Sequence, residues 1–288
     1  MLVSGALDAA LLGLLGLLVG SFLNVVIHRL PKMMDLRWAA ECAEFLLASE
    51  KPGPPPVEAI QPAFNLLVPR SRCPHCEHSI RWFENIPVLS YLALKGSCSA
   101  CGAPISQRYP VVETVSAALF AWCGWHWGLG WEALAWSGFS ASVLALSCID
   151  WDTTLLPDDI TLPLLWAGLS AAALGVIDTP LSSAVWGAIA GYLSLWLVYW
   201  AFKLVTGKEG MGYGDFKFFA ALGAWFGWQA LIPMILMASV VGAVLGIVSK
   251  WRGSLREGGY VPFGPFLAIA GLTAMIFGPS SILTAVGL

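Results

Sequence analysis

Two aspartates stand at the ends of long apolar stretches, where an ionisable group is costly and is therefore a functional candidate. Asp150 ends one such stretch and lies seven residues before Pro157, whereas Asp215 follows the glycines of Gly210-Met211-Gly212-Tyr213-Gly214 and opens another stretch. Two carboxylates that face each other can share one proton, so that one acts as general base and the other as acid. We predict that Asp150 and Asp215 form such a pair and activate water for peptide hydrolysis.

The other acids near this pair have simpler interpretations. Asp158 and Asp159 begin a predicted helix, where free N–H groups and the helix dipole favour aspartate, so we interpret them as helix-end acids. For Asp152 two alternatives stay open, a hydrogen bond within its loop or tuning of Asp150. The glycines before Asp215 allow an extended or partly unwound helix start, beside which a substrate could lie.

Four of the seven cysteines form two C-x2-C pairs, Cys73 with Cys76 and Cys98 with Cys101, separated by twenty-one residues. Two intervening residues let a tight turn aim both thiolates at one tetrahedral ion, and the overall spacing is typical of four-thiolate zinc. Four thiolates fill the coordination shell, so we predict a structural Zn²⁺ with no open position for catalysis. His75 and His78 are possible substitute ligands, but with four cysteines present we interpret them as surface residues.

The composition indicates the kind of element that must hold these residues. Hydrophobic residues make up 58% of the 288 and charged residues 11%, and the mean hydropathy is +0.74. Soluble proteins have about a quarter of their residues charged, so the composition excludes an ordinary soluble domain. The net charge of −3 gives no sign of a nucleic-acid partner, and none is predicted.

We predict an all-α polytopic membrane protein with about eight transmembrane helices and a small cytoplasmic zinc-binding domain inserted after the first helix. About twenty apolar residues are needed to cross the hydrocarbon, and the segment 216–228 is short for that purpose. The apolar segments lie at 5–27, 113–130, 134–149, 158–177, 182–204, 216–228, 230–249 and 262–280.

The predicted domains are a first transmembrane helix at 1–27, the zinc-binding domain at 28–112 and a transmembrane protease domain at 113–288. The inserted domain holds nine of the fifteen Lys and Arg residues and both cysteine pairs. Apolar residues at helical spacing predict a helix over 35–50 in this domain. The proline run at 52–56 is expected to end that helix and to act as a stiff connector.

The basic residues predict the orientation of the chain, because cytoplasmic loops near spans are enriched in Lys and Arg. With the N-terminus outside, eight spans place the segments 28–112, 150–157, 205–215 and 250–261 on the cytoplasmic side. All fifteen basic residues then lie within or beside these segments, whereas Asp8, Glu132 and Asp178 remain outside. The same orientation puts Asp150 and Asp215 at the cytoplasmic face.

Several stretches form one pattern that runs almost from end to end of the chain. They are GSFLNVVIHRLP at 20–31, the two cysteine pairs, ENIPVLSY at 84–91, ISQRYP at 105–110 with Glu113, the stretch from Asp150 to Asp158, and GYGD at 212–215. Taken together, these motifs resemble the bacterial prepilin peptidases, the bifunctional leader peptidases and N-methyltransferases of type IV pilus and type II secretion systems.

The resemblance implies a GxGD aspartyl protease with Asp150 and Asp215 as its catalytic residues. It implies prepilin or pseudopilin substrates, in which a short basic leader ends in Gly and an apolar helix follows, usually beginning with Phe. Cleavage after that Gly at the cytoplasmic face of the inner membrane is followed by methylation of the new amine from S-adenosylmethionine. The family pattern assigns no residue to that cofactor, but it implicates the zinc-binding insertion in methylation.

Two functions of other classes are the alternatives. In a proton-coupled transporter, Asp150 and Asp215 would carry protons, but both lie at one predicted face rather than at the midplane, and no paired repeat is visible. In a membrane scaffold, the zinc domain would bind a partner and the acids would be inert. The sequence does not determine which prepilins are cut or the oligomeric state.

Overall fold

The computed structural model describes residues 2–49, 64–208, 210–251 and 261–286, and its regular secondary structure is helical. The described residues contain no strand, only two isolated β-bridges. The all-α prediction is therefore confirmed for the described part of the chain. The helices are α1 (Leu2–Ser49), α2 (Leu89–Ala93), α3 (Arg108–Trp127), α4 (Trp131–Thr153), α5 (Asp158–Ala173), α6 (Leu181–Thr206), α7 (Tyr213–Phe226), α8 (Leu231–Trp251), α9 (Gly264–Phe277) and α10 (Pro279–Val286).

Helix α1 joins two elements that the sequence analysis treats as separate, the first span and the helix over 35–50. It is continuous over 48 residues with Pro31 inside it. A proline removes one helical hydrogen bond, but good helix formers such as Leu, Met, Lys and Arg on both sides favour continuation. The proline run at 52–56, predicted to act as a connector, lies outside the described residues.

In the part of the chain that the structure describes, four helical stretches are long and apolar enough to cross a membrane. They are Gly5–Phe45, Trp131–Thr153, Leu181–Thr206 and Trp228–Val248. Each of the other four predicted spans coincides with a helix, but α7 and α9 have only 14 residues each. Such a helix is about 21 Å long, against about 30 Å of hydrocarbon. The chain is a multi-helix membrane protein, and the count of eight spans stays a prediction.

The described chain forms two compact units, Met1–Leu14 with Ala118–Leu288, and Leu15–Ala117. In the first unit, α7 packs against α5, α6 and α9 and is buried along most of its length. Glycines allow α6 and α7 to approach closely, because a Cβ at Gly187 would lie 2.2 Å from the carbonyl oxygen of Gly223, and one at Gly191 would lie 2.7 Å from that of Phe219. This Gly-x3-Gly contact is a common way to pack helices in membranes.

The second unit contains the cysteine pairs, and buried polar side chains tie its loops to α1 and α3. Arg29 of α1 donates hydrogen bonds to the carbonyl oxygens of Asn65 and Pro69, at 2.9 and 2.6 Å. Glu113 of α3 accepts the backbone N–H of Val88 at 2.7 Å. Both side chains are less than a tenth exposed, so these bonds satisfy charges that would otherwise be costly to bury.

Candidate active site and metal centre

Asp150 lies in the last turn of α4 on the same stripe as the buried side chains of Phe139, Val143 and Leu146, and it is 4% exposed. The helix ends just after it, because Thr154 adopts a left-handed conformation with φ of 56° and donates its N–H to the carbonyl oxygen of Asp150. A β-branched residue rarely adopts this conformation, and such outliers concentrate at functional sites. The helical period places Asp150 on the buried face of α4, and the strained turn at Thr154 ends the helix beside it.

Asp152 lies two residues further along α4 and is exposed. Two residues correspond to a rotation of about 200° around a helix, so Asp150 and Asp152 point to opposite sides. Of the two carboxylates, only that of Asp150 is buried.

Asp215 lies in the first turn of α7 and is 7% exposed. The helix begins after Gly212, whose carbonyl oxygen accepts the N–H of Asp215 at 3.3 Å. Its side-chain atom Oδ1 is buried and has no hydrogen-bond partner among the described residues. A buried acceptor without a partner is uncommon in proteins, and it is a group that a substrate or water could satisfy.

The fold brings Asp150 and Asp215 within electrostatic range of each other, although 64 residues separate them. Leu156 lies between the starts of α7 and α9, because a Cβ at Gly214 would be 2.7 Å from its Cβ and a Cβ at Gly264, the residue beside Asp150, would be 3.2 Å from its Cδ2. The two carboxylates therefore lie at neighbouring helix ends, as an aspartate pair requires.

Gly264 is a residue of this site that the sequence analysis missed. Its backbone N–H, at the start of α9, donates to Oδ2 of Asp150 at 2.9 Å, and a Cβ in its place would lie only 2.6 Å from that oxygen. A glycine followed by Pro265 at a helix start was the available signal, since proline favours the first helical turn. The sequence alone did not show which side chain this turn would contact.

A second missed contact joins the starts of α5 and α7. Nζ of Lys217 lies 2.7 Å from Oδ2 and 2.8 Å from Oδ1 of Asp158. Asp158 is thus the helix-end acid that was expected, and it also forms an ion pair with the helix that carries Asp215. A single lysine just inside an apolar segment indicated an acidic partner but did not identify it.

The four cysteines of the predicted zinc site come together, with their sulfur atoms all within 4.8 Å of one another. The Sγ atoms of Cys73 and Cys101 are 3.8 Å apart, and those of Cys76 and Cys98 are 4.0 Å apart. Zinc–sulfur bonds of about 2.3 Å in a tetrahedron place sulfurs at about this separation, so the cluster could hold Zn²⁺. Its atoms give a closed set of four thiolates, which is the geometry of a structural site.

Each cysteine pair lies in a loop with the same backbone hydrogen bonds. In the first loop, the N–H of Cys73 donates to the carbonyl oxygen of His78, and the N–H of Glu77 donates to that of Cys73. In the second loop, the N–H of Cys98 donates to the carbonyl oxygen of Ala103, and the N–H of Gly102 donates to that of Cys98. Glu77 and Gly102 both have positive φ, 58° and 72°. We call these two loops, residues 72–79 and 97–104, the cysteine knuckles. Their backbone aims the thiols at one point.

Glu84 connects the two cysteine knuckles. Its carboxylate lies 3.2 Å from Nε2 of His78 in the first knuckle, and it accepts the hydroxyl of Ser99 in the second and the N–H of Arg81. These hydrogen bonds, the one from Ser99 above all, lower the pKa of Glu84 to about 2. His78 therefore contacts Glu84, which agrees with its exclusion as a zinc ligand, although it is half-buried rather than on the surface.

Two family models match the chain. The bacterial peptidase A24 N-terminal domain matches residues 14–127, which include the cysteine knuckles. The type IV leader peptidase family matches residues 137–247, which include both candidate aspartates.

Similar relatives carry the name prepilin leader peptidase/N-methyltransferase. One from Stutzerimonas stutzeri is 55% identical over 264 residues, covering 92% of this chain and 89% of the relative. One from Pseudomonas aeruginosa is 53% identical over 265 residues, with 92% and 89% covered. One from Aeromonas hydrophila is 51% identical over 271 residues, with 94% and 91% covered. No solved structure matches the chain.

Proposed function

Because the chain belongs to the type IV leader peptidase family, a family of aspartic peptidases, we propose that it removes the leader from prepilins and pseudopilins by means of Asp150 and Asp215. The observation that supports this most directly is the burial of both carboxylates at neighbouring helix ends within electrostatic range. Cleavage would follow the Gly that ends the basic leader, as the family resemblance implies. The new N-terminal residue would then be methylated.

One hydrogen bond supports an assignment of the two roles. The N–H that Gly264 donates to Oδ2 of Asp150 favours the ionised form of that carboxylate, so we assign Asp150 as the general base. Asp215 would hold the shared proton, and its Oδ1 is available to donate it.

In the first step, Asp150 takes a proton from water, the water oxygen bonds to the scissile carbonyl carbon, and Asp215 gives its proton to the carbonyl oxygen. In the second step, the proton on Asp150 passes to the leaving nitrogen as the C–N bond breaks, and a hydroxyl proton of the intermediate returns to Asp215. The products are a carboxylic acid on the leader and a free amine on the pilin.

Two further groups belong to this proposal. Zn²⁺ would be held by Cys73, Cys76, Cys98 and Cys101, where it stabilises the two cysteine knuckles. S-adenosylmethionine would supply the methyl group. A cavity of about 390 Å³ lined by Lys32, Asp35, Leu36 and Phe64 offers this cofactor no buried polar group, so we assign no residue to its binding.

We also propose the inner membrane as the location, with the N-terminus periplasmic and the cysteine knuckles and aspartates cytoplasmic. Two pairs of residues near the predicted outer ends of the spans are neighbours in the first unit. Oδ2 of Asp8 lies 3.4 Å from the position of a Cβ at Gly128, and Glu132 is within electrostatic range of Asp178. Cysteine labelling of intact cells at residue 178 would contradict this orientation if only a membrane-permeant reagent reacted.

The function is tested by cleavage of a prepilin substrate with purified protein in detergent, with product masses read with and without S-adenosylmethionine. Asp150→Asn and Asp215→Asn are each expected to lower cleavage by about 10²- to 10⁴-fold, the usual contribution of acid–base catalysis. Asp159→Asn, at an exposed helix-end acid, is the matched control and keeps wild-type cleavage.

Each outcome has a definite meaning. Methylation of a pre-cleaved substrate by both variants shows that they are folded and that only hydrolysis is lost. Retained cleavage in either variant contradicts the assignment of the pair, and an uncut substrate with wild-type protein contradicts the peptidase function itself.

A further inference from the structure

In residues 82–92 of the second unit, several apolar side chains are exposed, whereas the one carboxylate points towards the cysteine knuckles. They form a 3-10 turn, Trp82–Asn85, followed by α2. Trp82 is 81% exposed, and Leu89 and Leu92 are each 65% exposed. Glu84, between them in sequence, points inward to the cysteine knuckles.

This arrangement is unfavourable for a surface that faces water. Removing such side chains from water is favourable, and clustered exposed apolar residues mark an interaction site. The exposed side chains lie close together, because the rings of Trp82 and Phe83 are 5.8 Å apart and residues 89 and 92 share one face of α2. We call the set of Trp82, Phe83, Ile86, Leu89 and Leu92 the apolar edge.

The lipid bilayer is the apolar environment that this edge could contact, because the second unit is connected at both ends to membrane helices. The unit begins within the apolar stretch of α1, which is long enough to cross a membrane, and it ends within α3, a predicted span. Both ends of the polar segment are therefore fixed at the bilayer.

The exposed charges of the segment that carries the edge complement an anionic lipid surface. Within residues 64–105 the exposed basic residues are Arg70, Arg72, Arg81 and Lys95, against Glu77 as an exposed acid, since Glu84 points inward. The guanidinium of Arg81 lies 5.9 Å from the centre of the Phe83 ring, which places a cation directly beside the apolar edge. Basic residues beside Trp and Leu are the pattern of segments that lie in the membrane interface.

We propose that the apolar edge lies in the interface of the bilayer, with Leu89 and Leu92 among the acyl chains, Trp82 at the level of the headgroups and Arg81 on anionic phosphates. The partner is thus the lipid itself. Such an anchor would hold the cysteine knuckles against the membrane from which a substrate's apolar helix emerges.

The test places the photo-crosslinking residue p-benzoylphenylalanine at position 82 of the full chain in intact membranes. The control has the same residue at position 79, where Ser79 is exposed on the first cysteine knuckle. Mass spectrometry of the purified protein identifies the adduct. We expect about tenfold more phospholipid adduct at position 82 than at 79, with anionic lipid enriched over its share of the membrane.

A second label at position 92 is expected to give the same adduct. Zinc content of each labelled protein shows whether its knuckles are folded, so a misfolded variant is recognised independently of activity. Adducts to a prepilin or to a second copy of the chain at both positions overturn the proposal, as does lipid labelling equal to that at position 79.

Discussion

The cysteine knuckles and the aspartate pair both bring ionisable side chains together, but they do so at very different distances along the chain. Each knuckle is an eight-residue loop whose own backbone hydrogen bonds aim its two thiols, and one carboxylate, Glu84, joins the loops. The aspartates come from the end of α4 and the start of α7, and they depend on Gly264 and on the packing of α6.

The two sites are expected to be sensitive to different substitutions. A locally built site is expected to fail when one of its own ligands is lost and to tolerate changes elsewhere. A site assembled by helix packing is expected to fail when a distant residue that controls a contact is changed.

Cys98→Ser is expected to remove the zinc and unfold the cysteine knuckles. A structural zinc contributes about 10 kcal/mol or more to the stability of small zinc domains, and an incomplete thiolate set loses much of that. Zinc content and limited proteolysis between residues 64 and 105 measure the change. Cys42→Ser is the control, because Cys42 is exposed on α1 away from the cluster. Full zinc content in the Cys98 variant would refute the four-thiolate site.

Gly264→Ala is expected to lower cleavage about 10- to 100-fold, because a displacement of a catalytic group by about 1 Å has an effect of this size. The new Cβ would lie 2.6 Å from Oδ2 of Asp150 and would displace the carboxylate or the start of α9. Gly138→Ala is the matched control on α4, since a Cβ there meets nothing within 4 Å. Zinc content is expected to be unchanged in both variants. Equal cleavage rates in the two would show that Gly264 does not position Asp150.

Glu84→Gln is expected to speed the release of zinc to a chelator by about tenfold, the usual scale for residues that support metal ligands. An amide has one acceptor oxygen, so it cannot accept from His78, Ser99 and the N–H of Arg81 together. Cleavage of a prepilin by freshly purified variant is expected to change much less.

The pH dependence gives Glu84 a separate test. Its folded pKa is lowered from 4.5 to about 2, so its ionised form stabilises the domain above pH 4.5, and that contribution is lost as the pH falls towards 2. The ratio of zinc-release rates between variant and wild type is therefore expected to be constant from about pH 6 to pH 8. A ratio that changes across that range would mean that Glu84 titrates there.

Lys217→Met is expected to have the smallest effect, a loss of about 1 kcal/mol or less in the free energy of unfolding, as for other partly exposed ion pairs. Its partner Asp158 is 52% exposed. Thermal unfolding of this variant, of Asp158→Asn and of the double variant measures the coupling. Losses that simply add in the double variant would show that the two side chains do not interact.

The prediction from sequence succeeded where the signal was local. Apolar stretches predicted the helices, because each stretch has the length and composition of one element. The spacing of Cys73, Cys76, Cys98 and Cys101 predicted a cluster that the fold forms. The first span and the helix over 35–50 were predicted as separate elements, whereas one continuous helix with Pro31 inside it covers both.

The sequence by itself therefore determined that this is a helical membrane protein with a four-cysteine cluster, because those properties depend on composition and on residues close together in the chain. Tertiary structure alone decided that the 14-residue α7 is enclosed by its neighbours, that Asp150 accepts the N–H of Gly264, and that Lys217 pairs with Asp158. The physical reason is that these contacts join residues 59 to 114 positions apart, whose meeting depends on how closely helices pack at glycines and not on any local pattern.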